Sequence, residues 1–302
     1  MRVCIMFIFF LSFLTSCQEP EECQYIKDYF PLTSTAAFYI DIGNYEEAYN
    51  LYSQVFEVCE PIRLTNHNDL YDYAKCAVKL GKQNTKEIII HSFKQGVSID
   101  SYKGDTDFHP FIYYDQWQKT EDWNVIERIY QEIRQQYLQK VNYELRDSIY
   151  RLQELDQEYR RRSDLPDSLR RVKGIQRDIE VQRALHDLII EYGFIDIPAI
   201  GGIDIDGRSV SISAILLHTP DSVRVNYWIP YLQEEINKGN CSPYTLGAMI
   251  DQLHLYNGKK AKLGVMVGSQ IESKEEADRL RLKIGLPPYE VDSIKWDRLR
   301  IK

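Results

Sequence analysis

From Asp122 to Tyr159 an apolar residue recurs every third or fourth position: Ile126, Tyr130, Ile133, Tyr137, Val141, Leu145, Ile149, Leu152, Leu155 and Tyr159. This spacing gathers the side chains on one face of a helix, whereas a strand would scatter them over both of its faces. Unbroken to Arg162, the helix would be about 60 Å long at ~1.5 Å per residue. Its other face is crowded with Arg, Gln and Glu, as a solvated surface requires. The helix is expected to stop at "SDLPD", with Ser163 or Asp164 placed to cap its successor.

The segment upstream is also helical. In "LTSTAAFYIDIGNYEEAYNLYSQVF" (32–56), Leu32, Ala36 and Tyr39 precede a Gly43 turn, and Ala48, Tyr52 and Val55 come after it. A glycine can end a helix in a left-handed cap, and a small residue lets two helices approach closely. The pattern resembles one tetratricopeptide repeat. A poorer copy is formed by Leu70, Ala74, Ala77 and Gly81, where Lys86 stands in the place of Ala48. The two glycines are 38 residues apart, against ~34 in a regular array of such repeats. The resemblance implies a peptide-binding groove or a packing module that braces the next domain. Residues 97–120 break the period with Gly, Asp and Pro. His109, before Pro110, is expected in a loop against Phe108 and Trp117.

The chain opens with Met1 and Arg2, then uncharged and mostly apolar residues from Val3 to Leu14, ending in "LTSC". The run is too short for a membrane span, which needs ~20 residues, but has signal-peptide length. It resembles a bacterial lipobox, which implies cleavage before Cys17 and acylation of that cysteine. The acidic "QEPEEC" after it reads as a solvated tether and resembles the export signals of Bacteroidota surface lipoproteins. Of the remaining cysteines, Cys4 leaves with residues 1–16. Cys23, Cys59, Cys76 and Cys241 can pair in three ways or stay as buried thiols. No CxxC spacing occurs, so no zinc cluster is expected. A net charge of −8 leaves no electrostatic footprint for nucleic acid.

From about Tyr150 onward, polar residues recur at scattered positions. They are Asp156 and Arg160 in "LDQEYR", Asp178 on a helix that ends at Gly193, and His218 closing "AILLH". Asp251 and Arg281, with Gly258, Gly264, Gly285 and Leu286, complete the set. This pattern resembles an uncharacterised bacterial domain family found in envelope lipoproteins. Members carry Asp-Arg where this chain has Asp251-Gln252, and Gln-Tyr-Gly-Thr-Gln where it reads "KLGVM" from Lys262. A histidine beside carboxylates is an acid/base or metal arrangement. The same residues can equally cap and cross-link helices. "GGIDIDGRS" (201–209) resembles a calcium loop but lacks its twelfth-position Glu, and reads as a turn between helices. GxSxG, HExxH, GxGxxG and P-loop patterns are absent from the sequence.

The expected architecture is mainly α: a signal peptide (1–16), an acidic tether (17–31) and a repeat-like helical module (32–120). A long connecting helix (121–163) and a compact helical domain (164–302) complete it, with at most a short extended segment at Lys262–Val267. No cofactor or metal is called for. The expected role is that of an outer-membrane lipoprotein, surface-exposed or periplasmic. Its partners are the membrane, through the lipid on Cys17, and other envelope proteins or peptides, through the helical hairpins. The rival is an enzyme, a hydrolase for example, using His218 with Asp156, Asp178 or Asp251 and Arg160. A third reading, a carbohydrate- or peptide-binding component, rests on the 22 tyrosines and four tryptophans.

Overall fold

The computed structural model describes residues 22–65, 68–113 and 120–294. Residues 1–16, Cys17 and Trp117 lie outside them. The fold is mainly α, and among the described residues the only β pairing is a lone bridge between Ala261 and Ile271. Lys262–Val267 is therefore a loop and not a strand.

A π-helical turn, Tyr25–Tyr29, leads into α1 (Phe30–Asp41), with Pro31 in the first turn where no N–H partner is needed. Tyr29 and Phe30 are buried, so the expected tether gives way to packed helix at Tyr25. Gly43, at φ +81°, turns the chain. Asn44 then caps α2 (Tyr45–Val58) by accepting the Glu47 N–H. α1 and α2 pack as a hairpin with Ala36 and Ala48 fully buried. The second hairpin is α3 (Asp69–Lys79) and α4 (Thr85–Lys94), turned at Gly81 with φ +65°. Here Lys86 points away from the hairpin and pairs with Asp122 at 2.8 Å, which explains a lysine where the first hairpin has alanine.

Residues 97–113 are more regular than their composition suggests. They form α5 (Ile99–Gly104), a 3-10 turn (Thr106–Phe108) and α6 (His109–Tyr113). Tyr102 and Phe108 pack edge to face beneath Phe93. His109 starts α6, where its ring meets Tyr113 edge to face, and does not sit in a loop.

The long helix is broken. α7 (Thr120–Leu138) and α8 (Tyr143–Glu158) are separate, because Asn142 accepts the Leu145 N–H as the cap of α8 and gives its own N–H to the Ala199 carbonyl. The spacing Tyr137, Val141, Leu145 runs through the break unchanged, which hides it from periodicity. The two helices also serve different cores. α7 packs on α4 and buries Trp123 and Ile126 in the hairpin core, whereas α8 buries Leu145, Ile149 and Leu152 in the second.

α8 pairs with α9 (Asp167–Tyr192), which starts after Pro166 without a side-chain cap. Asp164 is instead engaged by Arg162. α9 stops at Gly193, φ +79°, as its sequence indicates. The remainder winds through α10 (Ile197–Ile200), α11 (Ser213–Leu217) and α12 (Asp221–Val223). α12 continues by a π-helical stretch into α13 (Ile229–Asn237), and α14 (Pro243–Tyr256) and α15 (Lys274–Lys283) come last. Trp228, Leu232 and Leu246 fill this second core together with Tyr29, Phe30, Val55 and Cys59 of the first hairpin. A Cys23–Cys59 disulfide fastens the segment before α1 to the end of α2, while Cys76 and Cys241 are buried free thiols.

Arginines clasp the connecting loops. Arg63 reaches Asp204 at 3.2 Å, and Arg134 donates to the Asp204 carbonyl at 3.0 Å. Arg146, fully buried, donates to the carbonyls of Ile200, Gly201 and Arg208 and to the Asp206 carboxylate. Both aspartates of "GGIDIDG" thus answer arginines, and Arg146 holds the Asp206 carboxyl well below the usual range.

Candidate functional site

On α8 the buried face reads Leu145, Ile149, Leu152 and then Asp156. A carboxylate therefore occupies the position where the period calls for an apolar side chain, while Leu155, expected in the core, is exposed. Asp156 is 2% exposed and must be compensated there. Three side chains supply partners. Nδ1 of His218, the residue that ends α11, lies 2.8 and 2.9 Å from the two carboxylate oxygens. Gln157 Nε2 donates to one of them at 2.6 Å. Arg160, just past the end of α8, donates to the Asp156 carbonyl and stands 3.7 Å from its carboxylate.

Arg160 also bridges to α9, where Nη2 lies 2.9 Å from each oxygen of Asp178. Burial pushes the Asp178 carboxyl up from its ordinary value, against the pull of Arg160. Four residues predicted as a cluster, Asp156, Arg160, Asp178 and His218, thus converge. His218 keeps about a quarter of its side chain in solvent (24%), and Arg160 30%.

Asp251 does not join them. It is fully buried on α14 and accepts backbone N–H groups from Lys262, Leu263 and Val265 at 2.8, 2.6 and 2.6 Å. Its carboxylate thereby satisfies a loop that has no strand partner. Arg281, also fully buried, donates to the carbonyls of Leu263 and Pro287 and pairs with Asp292. Gly264, at φ +67°, leaves no room for a side chain, because a Cβ would run into the Tyr289 ring. Gln252 accepts Arg224 at 2.9 Å and donates to Tyr256 at 2.8 Å. The residues singled out in the C-terminal half therefore form two groups, a clamp between α8, α9 and α11 and a loop anchor beneath α14.

The clamp can orient an imidazole, which is half of an acid/base device. Its carboxylates are already engaged by His218, Gln157 and Arg160. Among the described residues no group of His, Cys, Asp or Glu has the geometry to hold a metal ion. No described helix is long and apolar enough to cross a membrane. A cavity of about 240 Å³ is lined by Asp196, Ser211, Asn240 and Thr245 among apolar side chains, and not by His218.

Sequence reasoning missed Gln157, Gln182 and Arg146. Gln182 donates to the Ile215 carbonyl at 2.6 Å and accepts Trp228 Nε1 at 3.0 Å, tying α9 to the helices on either side of His218. Arg146 had a signal, since it sits within the apolar face of α8. Gln157 and Gln182 had none, because a glutamine on a half-polar helix looks solvated. No family model matches the chain, and no curated protein or solved structure is significantly similar to it.

Proposed function

We propose that the chain is a lipoprotein of the bacterial outer membrane, held by acyl chains on Cys17, whose repeat-like hairpins dock another envelope protein or peptide. The observation that carries the docking role is the character of α1. It has no charged residue before Asp41, and Thr33, Ser34 and Thr35 are its only hydroxyl-bearing members besides Tyr39. A helix apolar on all sides belongs in an interior, yet Phe38 and Ile40 are only half-buried and Ile42 is exposed. Its outer flank is suited to a partner's apolar side chains.

Photo-crosslinking from position 38 in intact membranes tests this. A discrete adduct is expected from Phe38 and none from Glu46 on the exposed side of α2. No adduct from position 38 would remove the docking role. Cys17→Ser tests the anchor separately, and retention of that variant in washed membranes would exclude lipid attachment.

A second reading, hydrolysis by a His218-based site, is favoured by one observation: Asp156 engages Nδ1 of His218 while about a quarter of the imidazole side chain stays in solvent. It requires an ester or amide substrate whose turnover disappears in His218→Gln while the fold persists. A screen of chromogenic esters against the wild type and that variant decides it.

A further inference from the structure

α9 is longer than the core it serves. Its buried residues are Val181, Gln182, Leu185 and Ile189, all in the C-terminal half of Asp167–Tyr192. The first half, about 20 Å at ~1.5 Å per residue, overhangs the body together with the turn from α8. The clamp of Asp156, Arg160, Asp178 and His218 stands at the base of this overhang.

The overhang differs from the rest of the molecule in two respects. First, residues 159–177 hold seven Arg and Lys against two Asp. Arg160 is paired with Asp178, Arg161 with Glu154, and Arg177 with Glu158 and Glu180 at its edges, which leaves Arg171 and Lys173 without an ion pair among the described residues, beside the stripe described next. Second, Leu169, Val172, Ile175 and Ile179 are 41, 55, 51 and 39% exposed. Their spacing of three, three and four residues sets them on one side of the helix. The same periodicity places Arg171 on one flank of this stripe and Lys173 on the other. The stripe continues into an apolar groove of about 380 Å³ lined by Ile179, Pro220, Val223 and Tyr227.

From these features we infer that the α8–α9 overhang is a binding surface for an anionic phospholipid bilayer. Aliphatic side chains enter the acyl boundary while the flanking cations meet headgroup phosphates, the division of labour of an interfacial helix. The pairs Arg170–Asp167 and Arg162–Asp164 are exposed, and such pairs yield readily to phosphate. A second copy of the chain is disfavoured, because Arg171 and Lys173, which flank the stripe, would approach their own counterparts. Nucleic acid is disfavoured because the stripe is aliphatic and offers no aromatic stacking surface. This contact does not depend on acylation of Cys17.

The test is flotation of the full chain carrying Cys17→Ser with two kinds of vesicle, phosphatidylcholine alone and phosphatidylcholine mixed with phosphatidylglycerol. Binding to the anionic vesicles is expected to be stronger and to weaken with added salt. Arg170→Gln, Arg171→Gln and Lys173→Gln together should reduce it by about a hundredfold. Val172→Ser with Ile175→Ser should also weaken it, with the helical circular dichroism of both variants unchanged. Equal flotation with both vesicles, or no loss in the basic triple variant, overturns the proposal. So does salt-resistant self-association that disappears with the two serine substitutions, which would assign the stripe to a second copy.

Discussion

Nδ1 of His218 and the carboxylate of Asp156 meet at 2.8 Å across 62 residues of sequence, joining the end of α11 to the buried face of α8. Removing the imidazole leaves a buried carboxylate with Gln157 and a more distant Arg160. His218→Ala is therefore expected to cost about 1–3 kcal/mol, and His218→Gln to recover part by restoring a donor. Urea unfolding of the three proteins measures this. Equal midpoints would show that the pair does not support the fold.

The Cys23–Cys59 bridge closes a loop with a sequence separation of 36. A crosslink of that span stabilises by about 4 kcal/mol through the entropy it removes from the unfolded chain. Cys59→Ser should lower the midpoint of denaturant unfolding accordingly, and dithiothreitol should lower the wild type to the same level. A wild type indifferent to reductant would contradict the bridge.

Ala48 lies in the contact between α1 and α2 with no exposed surface. Ala48→Leu is expected to destabilise by roughly 1–3 kcal/mol, since added methylenes must push the two helices apart. Ala48→Gly should also destabilise, through helix propensity, by about 1 kcal/mol. Calorimetry of both separates crowding from propensity, and a leucine variant that melts like wild type would place Ala48 outside the contact.

Asp196 caps α10 by accepting the Ala199 N–H, yet burial pushes its carboxyl up to about 6. An unfolded aspartate titrates near ~3.9, so between these values the native state holds the proton more tightly. This contribution to stability is complete below about pH 4 and is lost as pH rises through 6. Asp196→Asn keeps an acceptor at the cap and removes the buried charge. It should stabilise the protein at pH 8 by on the order of 2 kcal/mol and make little difference at pH 4. Melts at the two pH values check the sign, and a variant equally destabilised at both would refute it.

The all-helical class was legible because the 3- and 4-residue spacing of Ile126 to Leu152 is a property of the sequence alone. Gly43, Gly81 and Gly193 ended helices where expected, since a left-handed cap selects glycine over other residues. The break at Asn142 was not legible. Its signal is a single capping residue inside an uninterrupted apolar period, and the competing demand comes from Ala199, 57 positions away. The clamp was half legible: Asp156, Arg160, Asp178 and His218 were grouped by type. Asp251 was misplaced with them, because a buried aspartate that gathers backbone N–H groups looks in sequence like one that faces a histidine.

The contact between the π-helical turn and the loop after α15 has a consequence for synthesis. A side chain at Gly285 would touch the backbone of Ile26 and the ring of Phe30, so that loop closes directly over the start of α1. The turn and Phe30 leave the ribosome long before their covering does. Such long-range closure is slow relative to local helix formation. A nascent chain can wind its hairpins early and still stay open until the segment beyond α15 is released. The order of its contacts thus separates early local winding from late closure.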